Sequence, residues 1–144
     1  MRLRLLAVWC VLLAMVGCGC LGGGGLPDNP PAYVDNVYAT EAGTDGISIY
    51  YILADANGQQ TASDGRVQIK VTDKSGTLFD GGKNVTASEF GKYKVGQGAF
   101  EHEAILHNLG RIALRREPSG SVDVVVTFTT PEGEDLTGKT TTYY

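Results

Sequence analysis

Past residue 20 the chain has no cysteine and no tryptophan: Cys10, Cys18, Cys20 and Trp9 all fall in the first twenty positions. The body of the protein therefore holds no internal disulfide and no thiolate metal site, and its stability rests on a packed core. Histidine is scarce as well, with two in 144 residues, which leaves little material for general-base chemistry or imidazole metal sites. Basic residues are outnumbered, 12 Lys and Arg against 16 Asp and Glu for a net charge of −4. That balance argues against nucleic acid as a partner. The length allows one ordinary domain with a short appendage and leaves no room for a second, catalytic domain.

What is present begins with an address. Residues 1–20 read MRLRLLAVWCVLLAMVGCGC: basic Arg2 and Arg4, the uncharged apolar run Leu5 to Val16, then Gly17 directly before Cys18. This is the order of a secretory signal peptide. The stretch MVGC resembles the lipobox of prokaryotic lipoproteins, with Met15 where that family usually carries Leu. The resemblance implies cleavage after residue 17 and a diacylglyceryl group on the Cys18 thiol. Loss of residues 1–17 removes two arginines and no acid, so the net charge moves from −4 to −6. An uncleaved anchor is the competing reading, since the apolar run extends through GCGCLGGGGL to nearly a spanning length, although four consecutive glycines make a poor helix. Either way Arg2 and Arg4 stay in the cytoplasm and the body of the protein lies outside.

Gly17, Gly19 and Gly22 also match G-x-G-x-x-G. A dinucleotide loop needs those glycines between a strand and a helix, with an acidic residue about twenty positions on. Here they close an apolar leader and open a linker. Residues 18–33 read as a Gly/Pro-rich tether, whose fifteen or so residues would set the domain roughly 20 Å from its anchor if they behave as a Gly-rich coil.

From Val34 onward the hydrophobic period is two. RVQIKVT (66–72) puts Val67, Ile69 and Val71 on one face and Arg66, Gln68 and Lys70 on the other, the signature of a half-buried antiparallel strand. SVDVVVTFTT directs Val122, Val124, Val126 and Phe128 inward, while GISIYYILAD is apolar on both faces and reads as a central strand. VDNVYATE, GTLFD, KYKV, GAFEHEAIL and LTGKTTTYY are further strand candidates, separated by turn signals such as DANGQQTASDG, DKSG and TPEGED. Seven or eight strands over residues 34–144 predict an all-β, two-sheet antiparallel sandwich. In VTASEFG one helical turn is expected, with Thr86 and Glu89 as a capping box, Val85 packing on Phe90, and Gly91 ending the turn in the left-handed conformation. By its strand pattern the domain resembles fibronectin-III and immunoglobulin-like sandwiches. The chain as a whole resembles small surface lipoproteins of archaea and bacteria, in which one β-domain follows a Gly/Pro tether.

Candidate chemistry is sparse. His102 and His107 are spaced H-E-x-x-x-H rather than the H-E-x-x-H that puts two imidazoles on one helical face. On a strand, residues five apart face opposite ways, so the expectation is no shared metal, a part-buried His102 and solvated Glu101 and Glu103. No serine lies in a nucleophile elbow. Glu132, Glu134 and Asp135 read as a solvated hairpin tip, without the alternating ligands of a calcium loop. Arg111, Arg115 and Arg116 read as a charged edge that discourages strand addition. Asn84 opens the sequon NVT, a candidate N-glycosylation site on an exported domain. The tyrosines supply amphipathic surface of the kind interfaces use, and equally suit strand packing.

The sequence thus leads to an exported, membrane-anchored lipoprotein carrying a non-catalytic binding or accessory module. Its expected partners are the membrane, through the lipid anchor, and a protein or glycan; no cofactor and no metal are expected. The alternatives are a small-ligand or metal-binding lipoprotein serving a transporter, with a pocket around His102, and, further off, a small hydrolase.

Overall fold

The computed structural model describes residues 26–144, so the leader, Cys18 and the Gly17–Gly22 motif lie outside the described residues. Nine strands follow: β1 (Pro31–Glu41), β2 (Gly46–Asp55), β3 (Gln60–Thr61), β4 (Gly65–Asp73), β5 (Gly76–Val85), β6 (Phe90–Val95), β7 (His102–Ala113), β8 (Ser121–Thr129) and β9 (Asp135–Tyr143). They form two antiparallel sheets. The first has the order β1-β2-β7-β6, with β3 paired to β2, and the second has the order β5-β4-β8-β9. With β1, β2, β4, β5, β6, β7, β8 and β9 taken as strands A, B, C, C′, D, E, F and G, this is A-B-E-D facing C′-C-F-G, the immunoglobulin-like arrangement. The alternating strands behave as their period requires. Val67 and Val71 of β4 are fully buried, as are Val122, Val124, Val126 and Phe128 of β8.

The space that a disulfide and a tryptophan fill in antibody domains is filled here by aliphatic residues around Tyr51, Phe90 and Phe128. The side formed by β1 and β9 closes through a close approach: a Cβ added at Gly138 would sit 2.5 Å from Val34 Cγ1 and 2.8 Å from Val37 Cγ2. Gly138→Val is therefore expected to overpack this seam and destabilise the domain by about 1–3 kcal/mol, measured by urea unfolding. A change within a few tenths of a kcal/mol would mean the seam is not tight.

The folded unit reaches further toward the N-terminus than residue 34. Leu26 packs against the core, the Pro27 carbonyl accepts the Ala62 N–H at 2.9 Å, and Asn29 Nδ2 donates to Asp55 Oδ2 at 3.1 Å. Residues 26–33, read from sequence as tether, are thus docked beside the β2–β3 turn. That turn is organised by Asp55, whose Oδ1 accepts the N–H groups of Asn57 and Gln59 at 2.8 and 2.9 Å, with Gly58 at φ 78°. The Gln59 bond is the main reason the Asp55 carboxyl titrates below its usual range.

Between β5 and β6 the expected turn is present as a 3₁₀ turn, Ala87–Glu89. It carries the chain from one sheet to the other, with Val85 and Phe90 both buried. Glu89 Oε2 accepts the Thr86 N–H at 2.8 Å. The expectation for Gly91 does not hold: it lies within β6, paired with Leu106, and is not among the residues with positive φ. Its missing side chain instead leaves room for the Tyr93 ring, 3.0 Å from where a Cβ would stand.

Candidate functional site

An antiparallel sheet in a sandwich ordinarily turns one face to the core and one to water. The β5-β4-β8-β9 sheet does so, its outer side carrying Arg66, Lys70, Asp123, Thr127, Thr137, Lys139 and Thr141. Several of these are tied to one another in the solvated face, as in the 2.7 Å bond from Thr141 Oγ1 to Asp123 Oδ1. The β1-β2-β7-β6 sheet does not. Its outer side holds a second apolar cluster of Ile52, Val95, Ala104 and Leu106, all buried, with Tyr38 and Tyr50 packed over it. Tyr38 and Tyr50 are register partners on β1 and β2, and their rings stack at 4.9 Å with 20° between planes. Tyr93, paired with Ala104 across β6 and β7, continues the surface and is 43 % exposed. Stacked tyrosines over an aliphatic floor give an amphipathic surface, the composition that contact surfaces favour.

Under this sheet, facing the core, lies a polar cluster. The Tyr51 hydroxyl and His107 Nδ1 are 3.0 Å apart, and both side chains are buried. His107 Nε2 faces Glu89 Oε1 at 3.9 Å, and Glu89 accepts from Lys83 Nζ at 2.8 Å. A carboxylate on the Nε2 side assigns the ring proton to Nε2, so Nδ1 accepts from the Tyr51 O–H. Burial, with Lys83 nearby, pushes the His107 pKa down, and burial together with the Glu89 charge pushes Tyr51 up. Both are held neutral. The Lys83 hydrogen bond, then the Thr86 N–H, lower the Glu89 carboxyl to about 2. Phe90 flanks both rings, at 5.8 Å from Tyr51 and 5.4 Å from His107. The Tyr51–His107 pair is closed off from solvent and organises the core beneath the sheet-switching turn.

A second charged group ties the far loops together. Arg116 grips Asp73 with two nitrogens, each at 2.6 Å, and the Asp73 side chain, fully enclosed, also accepts the N–H groups of Ser75 and Ser119. The Arg116 bond is the first cause of an Asp73 carboxyl held far below its usual range. Beside it a shallow depression of about 430 Å³ is lined by Asp73, Lys74, Ser119, Gly120, Ser121 and Asp123.

Asn84 is exposed near the end of β5, so the sequon is accessible. Of the two histidines it is His107 that is buried; His102 is exposed, with Nδ1 3.1 Å from the Phe100 carbonyl. Both faces of β7 are apolar, Ala104 and Leu106 outward and Ile105 and Leu109 toward the core, so its period alone does not mark the buried histidine. Among the described residues no group of three His, Cys, Asp or Glu is placed to hold a metal ion. Arg111 lies on β7 beyond its pairing with β6, which ends at His107, and is paired there with β2 alone; it donates to the Ala42 carbonyl at 2.9 Å and to Asp45 at 2.6 Å, and Arg116 serves Asp73. Glu132 and Glu134 are exposed in the β8–β9 hairpin. No helix among the described residues is long and apolar enough to cross a membrane.

Fold and site together define a β-sandwich of immunoglobulin-like strand order with one aromatic outer face. No protein-family model, curated protein or solved structure matches the chain.

Proposed function

We propose that this protein is an exported lipoprotein, anchored through Cys18 at the outer face of the cytoplasmic membrane or the cell surface, whose sandwich is a non-catalytic binding or accessory module for a protein or glycan partner. The observation that carries the binding reading is the asymmetry of the two outer faces: Tyr38 and Tyr50 over an apolar floor on one sheet, and solvated threonines and charges on the other. Surfaces of the first kind gain by being covered, whereas those of the second gain nothing. The anchoring reading rests on the leader and the MVGC stretch.

The test places a photocrosslinking residue at Tyr50 in one variant and at Thr127 in another, in native membranes, with Cys18→Ala as the mislocalised control. One recurrent neighbour captured from position 50, absent from position 127 and lost in the control, is the expected result. Equal, diffuse labelling from both positions would remove the binding reading.

A further inference from the structure

Four large apolar side chains among the described residues stand out for their exposure: Phe100 at 85 %, Tyr143 at 76 %, Tyr93 at 43 % and Tyr33 at 42 %. Three of them share one end of the domain. In the first sheet β1 begins where β2 ends, Pro31 opposite Asp55 and Tyr33 opposite Ala54. β7 runs antiparallel to β2 with His107 opposite Tyr51, so its first residue, His102, lies level with the end of β2. The β6–β7 hairpin, whose last register pair is Val95 with His102, projects beyond that level. Phe100 lies in its tip, in a short 3₁₀ turn, and Tyr93 precedes it on β6. This is also the end at which the chain enters, where Pro27 and Asn29 are bonded to residues 55–62. Tyr143 is at the opposite end, next to Tyr144, whose hydroxyl donates to the Gly46 carbonyl at the start of β2.

Docking of the chain from Leu26 leaves only residues 19–25 between the domain and Cys18. Fully extended, that segment spans less than about 30 Å, so a membrane attached at Cys18 lies within reach of the Phe100 hairpin. The charges beside the hairpin cancel in pairs, Lys94 with Glu101 at 3.3 Å and Lys92 with Glu103 at 3.7 Å, which leaves the tip apolar. An exposed phenylalanine with tyrosines at the same end of a domain is an arrangement that seats at a lipid interface, the apolar ring in the acyl boundary and the amphipathic rings at headgroup level. A single such ring binds weakly from solution, but on a tethered domain the high effective concentration keeps the contact populated.

We infer that this end of the sandwich is a foot that rests on the lipid surface, with Phe100 inserted and Tyr33 and Tyr93 at the headgroups. The inference rests on the membrane-anchored reading above. The foot leaves Tyr38 and Tyr50 on the flank of the domain and Tyr143 at its distal end.

The test uses the full chain, processed in its own membranes and reconstituted into phosphatidylcholine vesicles with brominated acyl chains. Trp9→Phe/Phe100→Trp places the reporter at the tip, and Trp9→Phe/Tyr143→Trp places it at the distal end. Both replaced side chains are solvent-exposed, so neither change disturbs the core. The expected result is blue-shifted emission and strong bromine quenching for the tip reporter and neither for the distal one. Vesicle-bound protein with an unquenched tip, or with the distal reporter quenched instead, would overturn the foot while leaving the anchor intact. Protein that does not float with the vesicles at all would overturn the anchor and the foot together.

Discussion

Truncating Phe128 to alanine is expected to cost about 3–5 kcal/mol of folding free energy, a drop in Tm on the order of 15 °C or more for a domain of this size. The ring is fully buried and packs against Tyr51 at a centroid separation of 6.2 Å. Gly65 is also pressed close, so that an added Cβ would stand 2.5 Å from Phe128 Cζ. Strands β4 and β8 are fastened around it, with Val67 opposite Phe128 in register, so neighbouring backbone cannot collapse into the space the ring leaves. In a sandwich with no disulfide among the described residues nothing covalent offsets the loss. Urea unfolding followed by tyrosine fluorescence measures it, and a loss below about 1 kcal/mol would show that the sheets close over the cavity.

The second large effect is a dependence on pH that originates in one residue. His107 is held neutral in the folded protein because burial depresses its pKa, whereas in the unfolded chain it titrates near 6.5. Between the folded value and 6.5 the unfolded state binds more protons, so stability rises with pH. The contribution is complete above about pH 6.5 and is lost as the pH falls below it. Glu89 and Asp73 act in the same direction but lower, since depressed carboxyls lose their contribution only as pH falls beneath the usual value of ~4. Wild-type protein should therefore weaken from pH 7.5 to 5, ahead of general acid unfolding. His107→Leu should flatten that slope and cost about 1–3 kcal/mol at pH 7.5, because the Tyr51 hydroxyl is left buried without an acceptor. Adding Tyr51→Phe should recover part of that cost, since removing both partners leaves no orphan. An unchanged slope in His107→Leu would place the titrating group elsewhere.

The two charged devices of the domain have different relations to the sheets. Asp73 and Arg116 lie where loops meet and join the β4–β5 hairpin to the segment after β7. Glu89 sits where the chain changes sheets and ties the turn to Lys83 on β5 and to the ring edge of His107 on β7. Both give a carboxylate a cation and backbone N–H donors, two of them for Asp73 and one for Glu89, the environment that holds the charged form most firmly.

Much of this architecture is legible in the sequence because its causes are local. A period of two in β4 and β8 needs only Val67, Ile69 and Val71, or Val122 to Phe128, to declare an inner face, and residues such as Gly58 declare a reversal by the φ they permit. The capping residues Thr86 and Glu89 are three apart and act on the same few N–H groups. The reading of residues 1–20 as a leader, which lies outside the described residues, rests on equally local features: charge, apolar length and a small residue before Cys18. What the sequence leaves open is whatever depends on which strands become neighbours. His107 and Tyr51 are 56 residues apart, Arg116 and Asp73 are 43 apart, and neither pairing has a spacing that announces it. The apolar outer side of the first sheet is split among β1, β2, β6 and β7, so each strand taken alone looks either central or ambiguous. The strand order alone gathers Tyr38, Tyr50 and Tyr93 onto one face, and the antiparallel register alone brings Phe100 to the end where the chain enters. Side-chain period is a property of one segment, whereas the sharing of a face or an end is a property of how distant segments pair.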